Sequence, residues 1–286
     1  MSASPLVSVV IGSFERGKFL RGTIATVREE LDAVDHEIFV VDGGSGDGTV
    51  DWLVRQKDVI TIVQHNRGEW RGKPIERRSW GYFMNLAFKA AQGTFVCMLS
   101  DDCLVVPGAI RNAIRVFERE SAAGKDVGGV AFYFRDWPGE KDYRVGRTWG
   151  NRMFVNHGLY RRDALQAVGY ADEATYAFYH ADGDLSLRMW EAGYACIDSP
   201  DSFIEHRSHT NVAVRDTNTA VQKNDWAAYT RKWSSLGEPT QAWTARAFVD
   251  PQSTAERHWY WKRRIPRPLR SLVRTFLGRG TEPARV

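Results

Sequence analysis

No stretch of this chain stays apolar for long. The longest runs, such as Phe95 to Leu99, have the length of a strand. They fall far short of the ~20 residues that cross a bilayer. Cysteine is scarce. Cys97, Cys103 and Cys196 show neither metal-ligand spacing nor a disulfide framework. The opening MSASPLVSVV has no basic stretch followed by a long apolar one, so no secretory leader is expected. Reduced thiols and the missing leader suit a cytoplasmic protein. No internal repeat is found. From Arg257 onward, nine basic residues stand against one acid, Glu282; the remainder holds 30 basic and 34 acidic residues. The body is therefore slightly acidic, and the basic tail is no sign that the body binds nucleic acid.

What is present is a strand-and-helix alternation. With 286 residues, 43% of them hydrophobic, the chain can bury one large α/β core or two small ones. Leu6 to Ile11 reads as a buried strand, Gly12 to Gly17 as a loop, Lys18 to Leu31 as a helix. Glu37 to Val41 is a second strand, Thr49 opens a short helix, and Val59 to Val63 is a third strand. Asn66 to Arg78 is polar, basic and rich in Gly and Pro, hence a long loop. Ser79 to Ala91 is a helix closed by Gly93. Thr94 to Leu99 is a fourth strand, apolar on both faces as in a covered parallel sheet. This order predicts a doubly wound α/β sheet. Beyond Gly124 the pattern loosens, and Arg135 to Gly150 reads as a mobile polar loop.

In open α/β sheets, ligands bind beyond the carboxyl ends of the strands. The first strand ends in Gly12, Ser13, Phe14 and Glu15, the second in Asp42, Gly43, Gly44 and Ser45, the fourth in Ser100, Asp101 and Asp102. Paired carboxylates at a buried strand end are costly without a cation. Mg²⁺ or Mn²⁺ suits them, since it takes one or two carboxylates and fills its shell with water and phosphate oxygens. The alternative is a solvated turn whose acids cap the next helix. VVDGGSGDGT, residues 40–49, also fits D-x-G-x-G-x-G, the S-adenosylmethionine loop of many methyltransferases. Two features oppose that reading. The next strand ends in Gln64, His65 and Asn66 without the acid that would hold a ribose. A complete strand-loop-helix unit also precedes the glycines.

Six segments in series resemble glycosyltransferase family 2. They are LVSVVI with SFER (6–16), VVDGGSGDGT, Asn85 with Ala90 to Gly93, Ser100 to Asp102 with Pro107, Gly158 to Glu173, and Asp182 to Arg188 with Glu191 to Tyr194. The resemblance covers about Leu6 to His209. It implies an α/β fold of GT-A type, a Rossmann-like doubly wound mixed sheet with helices on both faces. It also implies an inverting transfer of a sugar from a nucleoside-diphosphate donor to a hydroxyl acceptor, aided by a divalent ion (Mn²⁺ or Mg²⁺).

Position by position, the resemblance has Ser13, Phe14, Glu15, Asp42, Gly43 and Asp101 binding the nucleotide sugar. Phe14 stacks near the base and Asp101 approaches the ribose. Asp102 ligates the metal, and His206 adds a metal or diphosphate contact, with His209 a weaker version. Asp182 is the general base, at the start of a helix predicted over Asp182 to Ala192; by itself it reads equally well as an N-cap. Asp184, His157 and Trp149 (or Trp137) are placed at the acceptor. In the loop before the fourth strand, one of Arg71, Lys73, Arg77 and Arg78 would clamp the diphosphate, Arg78 being favoured. Three positions depart from the pattern: Gly43 and Cys103 stand where acids are frequent, and Ala181 replaces a common Glu. A binding-only member without turnover is the rival they motivate.

The expected layout is a GT-A domain over 1–235, with a nucleotide-sugar half at 1–105 and an acceptor half at 106–235, followed by a tail at 236–286. In the tail, Pro268 to Leu277 would form an amphipathic helix carrying Leu269, Leu272, Val273, Phe276 and Leu277 on one face, suited to an anionic membrane surface and so to a lipid-linked acceptor. Packing on its own domain is the alternative. The oligomeric state stays open.

Overall fold

A computed structural model describes residues 5–136, 139–207, 212–238 and 242–246. Trp137, His209 and the expected tail helix lie outside the described residues. The first half alternates as the sequence predicts: β1 (Val7–Ser13), α1 (Gly17–Glu30), β2 (His36–Asp42), α2 (Thr49–Leu53) and β3 (Val59–Val63). The basic loop folds back as a small hairpin, β4 (Glu69–Trp70) with β5 (Lys73–Pro74), before α3 (Trp80–Phe88), β6 (Phe95–Ser100), β7 (Cys103–Val105) and α4 (Ala109–Ala122). The second half contributes β8 (Val127–Asp136), β9 (Tyr143–Thr148), β10 (Arg152–Met153), β11 (Gly158–Arg161), α5 (Arg162–Ala167), α6 (Ala181–Glu191), β12 (Ala195–His206), α7 (Val212–Trp233) and β13 (Trp243–Arg246).

The sheet runs β10-β9-β8-β11-β6-β1-β2-β3. Strands β6, β1, β2 and β3 are mutually parallel. β11 then enters antiparallel between β6 and β8, which makes the sheet mixed. β12 pairs parallel with β8 and antiparallel with β7. Helices α1 and α4 cover one face through a core of hydrophobic residues that includes Val9, Ile11, Leu20, Ile24, Leu99, Ile110 and Phe117. Continuous apolar runs in β1 and β6 are what a sheet buried on both faces requires. The outcome is the expected α/β sheet with its parallel strand ends gathered at one edge.

The predicted loop over Arg135 to Gly150 is instead largely strand. Arg135 misled the reading, because a charged residue is seldom buried. Here its side chain is 2% exposed and forked onto Glu205, with Nε to Oε2 at 2.8 Å and Nη2 to Oε1 at 2.6 Å. Tyr143 donates to the same Glu205 oxygen at 2.7 Å and its ring lies under the guanidinium. Polar residues of β8, β9 and β12 thus satisfy one another inside the sheet. Cutting Glu205 to Ala strands a buried guanidinium, so a loss of about 3–5 kcal/mol is expected, read as a lower denaturation midpoint.

Candidate active site

The ends of β1, β2 and β6 open into a cleft of about 530 Å³, a size ordinary for small-ligand sites. Ser13, Phe14, Gly43, Asp101 and Asp102 line it, together with His157, Asp182 and His206. Ser13 and His206, 193 positions apart in the sequence, therefore share one cavity.

The acid pair is buried, both residues being 3% exposed. A single guanidinium nitrogen bridges it: Arg16 Nη1 lies 3.0 Å from Asp101 Oδ1 and 2.9 Å from Asp102 Oδ2. Burial, helped by the neighbouring Asp102, pushes Asp101 up to about 7 despite Arg16. Burial acts on Asp102 too, but His206 and Arg16 outweigh it and hold Asp102 below the ordinary carboxylate range. Asp102 Oδ1 is buried, makes no hydrogen bond, and faces His206 Nε2 at 3.4 Å. His206 Nδ1 rests on Asp136 Oδ1 at 3.1 Å, and Arg144 holds the other oxygen of Asp136 at 3.0 Å. Burial opposes a charge on His206, yet the two carboxylates prevail and raise it to about 9. Burial keeps His157 neutral, its value lowered to about 3. One ring nitrogen of His157 meets Ser100 Oγ at 3.2 Å and the other, Nδ1, has no partner among the described residues.

These groups fit a divalent cation. Asp102 Oδ1 and His157 Nδ1 are buried polar atoms with no hydrogen bond. Cys103, His157 and His206 bring ligand atoms within 4.8 Å of one another. Imidazole nitrogens among the donors, one of them 3.4 Å from Asp102 Oδ1, suit a first-row ion such as Mn²⁺ better than Mg²⁺, which prefers an all-oxygen shell.

Across the cleft, Asp182 sits in the first turn of α6, where the helix dipole favours a carboxylate. It accepts from its neighbour Gly183 N at 2.8 Å, so that it occupies the first turn while His180 holds the cap position. Burial raises its carboxyl to about 6. His180, at φ 65°, stacks on Tyr229 with centroids 5.0 Å apart. Gly183 is required here, since a Cβ would lie 2.6 Å from the Tyr229 hydroxyl.

The wall before α6 is held by a residue that sequence reasoning did not single out. Asp225 of α7 accepts from the backbone N–H groups of Ala177, Phe178 and Tyr179, each at 2.8 Å. A buried acid among the aromatics Trp226, Tyr229 and Trp233 was the available signal. Asp225→Ala removes both acceptor oxygens, and with them all three hydrogen bonds, and is expected to cost about 3 kcal/mol. Hydrogen exchange of residues 177–179 should accelerate with it.

The glycine-rich loop is not itself a cradle. Asp42 is fully buried and accepts from Gly44 N, Ser45 N and Ser45 Oγ. Glu15 accepts from Gly46 N at 2.6 Å, knitting the first and second loops together. Neither is among the residues that line the cleft. Gly43 does line it, and the Phe14 ring takes the space of any side chain there, 2.8 Å from a Cβ. Arg67 covers Phe14 at 4.9 Å. Arg67, Arg77 and Arg78 reach the cleft, whereas Arg71 and Lys73 stay on the exposed hairpin.

Two acceptor-side expectations fall elsewhere. Trp149 is 2% exposed in a core cluster with Tyr176, Leu187 and Trp233. Asp184 is fully buried and spent on Tyr176, Trp233, Arg188 and Lys232, at 2.7–3.0 Å. Spacing along α6 turns Asp184 away from Asp182, because residues two apart on a helix do not share a face.

A family model described as Glycosyl transferase family 2 matches residues 8–180. Among curated proteins, uncharacterized protein y4gI of Sinorhizobium fredii (strain NBRC 101917 / NGR234) is 22% identical over 248 residues. That match takes in 76% of this chain but 26% of the relative, so this chain spans about a quarter of it. Among solved structures, mannosyltransferase PcManGT from Pyrobaculum calidifontis, in complex with GDP-Man and Mn2+, superposes at a TM-score of 0.56 with 19% identity over 80% of this chain and 65% of its own. S. aureus TarS 1-349 gives 0.52 with 14% identity, covering 80% and 73%. The superpositions and the family match agree on a fold of the GT-A class. The chain belongs to glycosyl transferase family 2. The methyltransferase reading of residues 40–49 falls with that assignment.

Proposed function

We propose that this chain moves a sugar from a nucleoside-diphosphate donor to a hydroxyl acceptor with inversion at the sugar carbon. One observation carries the reading: a single cleft gathers a buried acid pair with a facing histidine on one wall and a helix-borne Asp182 on the other. Asp102 and His206, with His157 beside them, would hold the divalent ion. When bound, such an ion stabilises charge growing on a diphosphate leaving group. Asp182 takes the proton from the attacking hydroxyl. Phe14 and Gly43 offer a flat surface for a base, and the arginines at 67, 77 and 78 offer forked donors to phosphate. A Mn2+ and GDP-Man complex in one structural relative, and a UDP-GlcNAc complex in another, support donors of this kind.

The acceptor is read as a saccharide or a lipid-linked saccharide, with the basic tail on an anionic membrane and the enzyme on its cytoplasmic face. No helix of the described residues is long and apolar enough to cross a membrane. Thermal shift against UDP, GDP, dTDP and CMP, with and without Mn²⁺, tests the donor side, since a ligand of the native state raises its stability. A shift for one nucleoside diphosphate that needs Mn²⁺ is expected; no shift for any would overturn the reading.

A further inference from the structure

Arg16 has no assigned part in this chemistry, yet it touches the two acids at the centre of it. It occupies the cap position ahead of α1 and lines the cleft. Its side chain is 17% exposed, those of Asp101 and Asp102 5% and 2%. The contacts divide Asp102 in two. Oδ2 belongs to Arg16 at 2.9 Å, whereas Oδ1 faces His206 at 3.4 Å. A cation held by Oδ1 and the imidazole therefore does not need the place of the guanidinium. Arg16 Nε is also buried without a partner among the described residues, a donor left over for an anion.

Charge counting gives this arrangement a consequence. Two ionised acids and a divalent ion, with His206 neutral as a ligand, would alone sum to zero. With Arg16 in place the loaded site keeps one net positive charge beside the position of the diphosphate. Without nucleotide, the same positive charge opposes a second cation. Resting on the reading of Asp102 and His206 as cation ligands, we infer that Arg16 remains on the acid pair and, through its charge, makes cation and nucleoside diphosphate bind cooperatively. Linkage makes the effect reciprocal: whatever the nucleotide does for the cation, the cation does for the nucleotide.

Titration calorimetry at pH 8 with Mn²⁺ alone, and with UDP and GDP each with and without Mn²⁺, tests this on the full chain. Arg16→Gln is expected to bind Mn²⁺ alone about tenfold more tightly, and to bind the preferred nucleotide in saturating Mn²⁺ about tenfold more weakly. Opposite signs are the signature. A scaffold that merely holds the acids would weaken both, and that result overturns the inference, as does no change in either. Arg16→Lys should restore the wild-type pattern. The double variant Arg16→Gln with Asp101→Asn removes one charge of each sign, so its affinity for Mn²⁺ alone should return to wild type. It carries the test if the single variant does not fold, and an affinity that stays raised there would count against the inference. Wild-type protein that binds no Mn²⁺ with any nucleotide would instead overturn the cation reading itself, whereas normal wild-type binding with the wrong signs in the variants isolates the fault to Arg16.

Discussion

Asp182→Asn should lower kcat by about 10²- to 10⁴-fold while leaving donor KM near wild type, the loss expected when a positioned general base is removed. Asn preserves the volume and the acceptor for Gly183 N–H, so the start of α6 is not disturbed. The pH profile makes the assignment specific. Burial raises the Asp182 carboxyl to about 6, so it is ionised and competent above that pH and protonated and idle below it. Turnover in the wild type should therefore climb through about pH 6 and level off. The same shift says that the folded protein prefers Asp182 protonated. Its ionisation costs stability as the pH rises through that value, and Asp182→Asn should be at least as stable as wild type at pH 7. A variant with full kcat, or a wild-type profile flat down to pH 4, would remove Asp182 from the base role.

Asp102→Ala is expected to reduce transfer at least about a thousandfold, which corresponds to ~4 kcal/mol of lost transition-state stabilisation. The variant loses the oxygen that faces His206 and the one that holds Arg16. Chelation of the wild type should produce a similar loss, and Mn²⁺ should then rescue the wild type but not the variant. Direct Mn²⁺ binding, followed by electron paramagnetic resonance, separates a lost cation from a misfolded chain. Undiminished turnover in Asp102→Ala would sink the metal role of that residue.

Strand ends were legible in the sequence because buried parallel strands are written as continuous apolar runs and their ends as abrupt polar ones. That placed Ser13, Phe14, Asp101 and Asp102 on one edge, and the resemblance added Asp182 and His206 from farther along the chain. Ser13, Phe14, Gly43, Asp101, Asp102, Arg78, His157, Asp182 and His206 all line the cleft. What the sequence could not show was how polar groups would be spent. Asp42 and Glu15 sit at the right strand ends but satisfy the N–H groups of a tight loop. Asp184 lies two residues from Asp182, yet helical geometry sends it into the core. Trp149 gave no sign of its direction, because a tryptophan serves a sugar platform and a core equally well. Arg135 looked like surface because its partner Glu205 is 70 residues away. Long-range pairing of this sort leaves no periodic trace.

The Asp225 tether has an evolutionary reading. The family match ends at residue 180, but the loop at 177–179 is fastened from α7, more than 40 positions later. In the function proposed above this is the wall that faces the acceptor, and it leans on a part of the chain outside the shared segment. Under that proposal such a part can diverge without disturbing the donor side. One core of this type could then be fitted to many acceptors by exchanging its brace, much as a tool keeps its handle and changes its jaw.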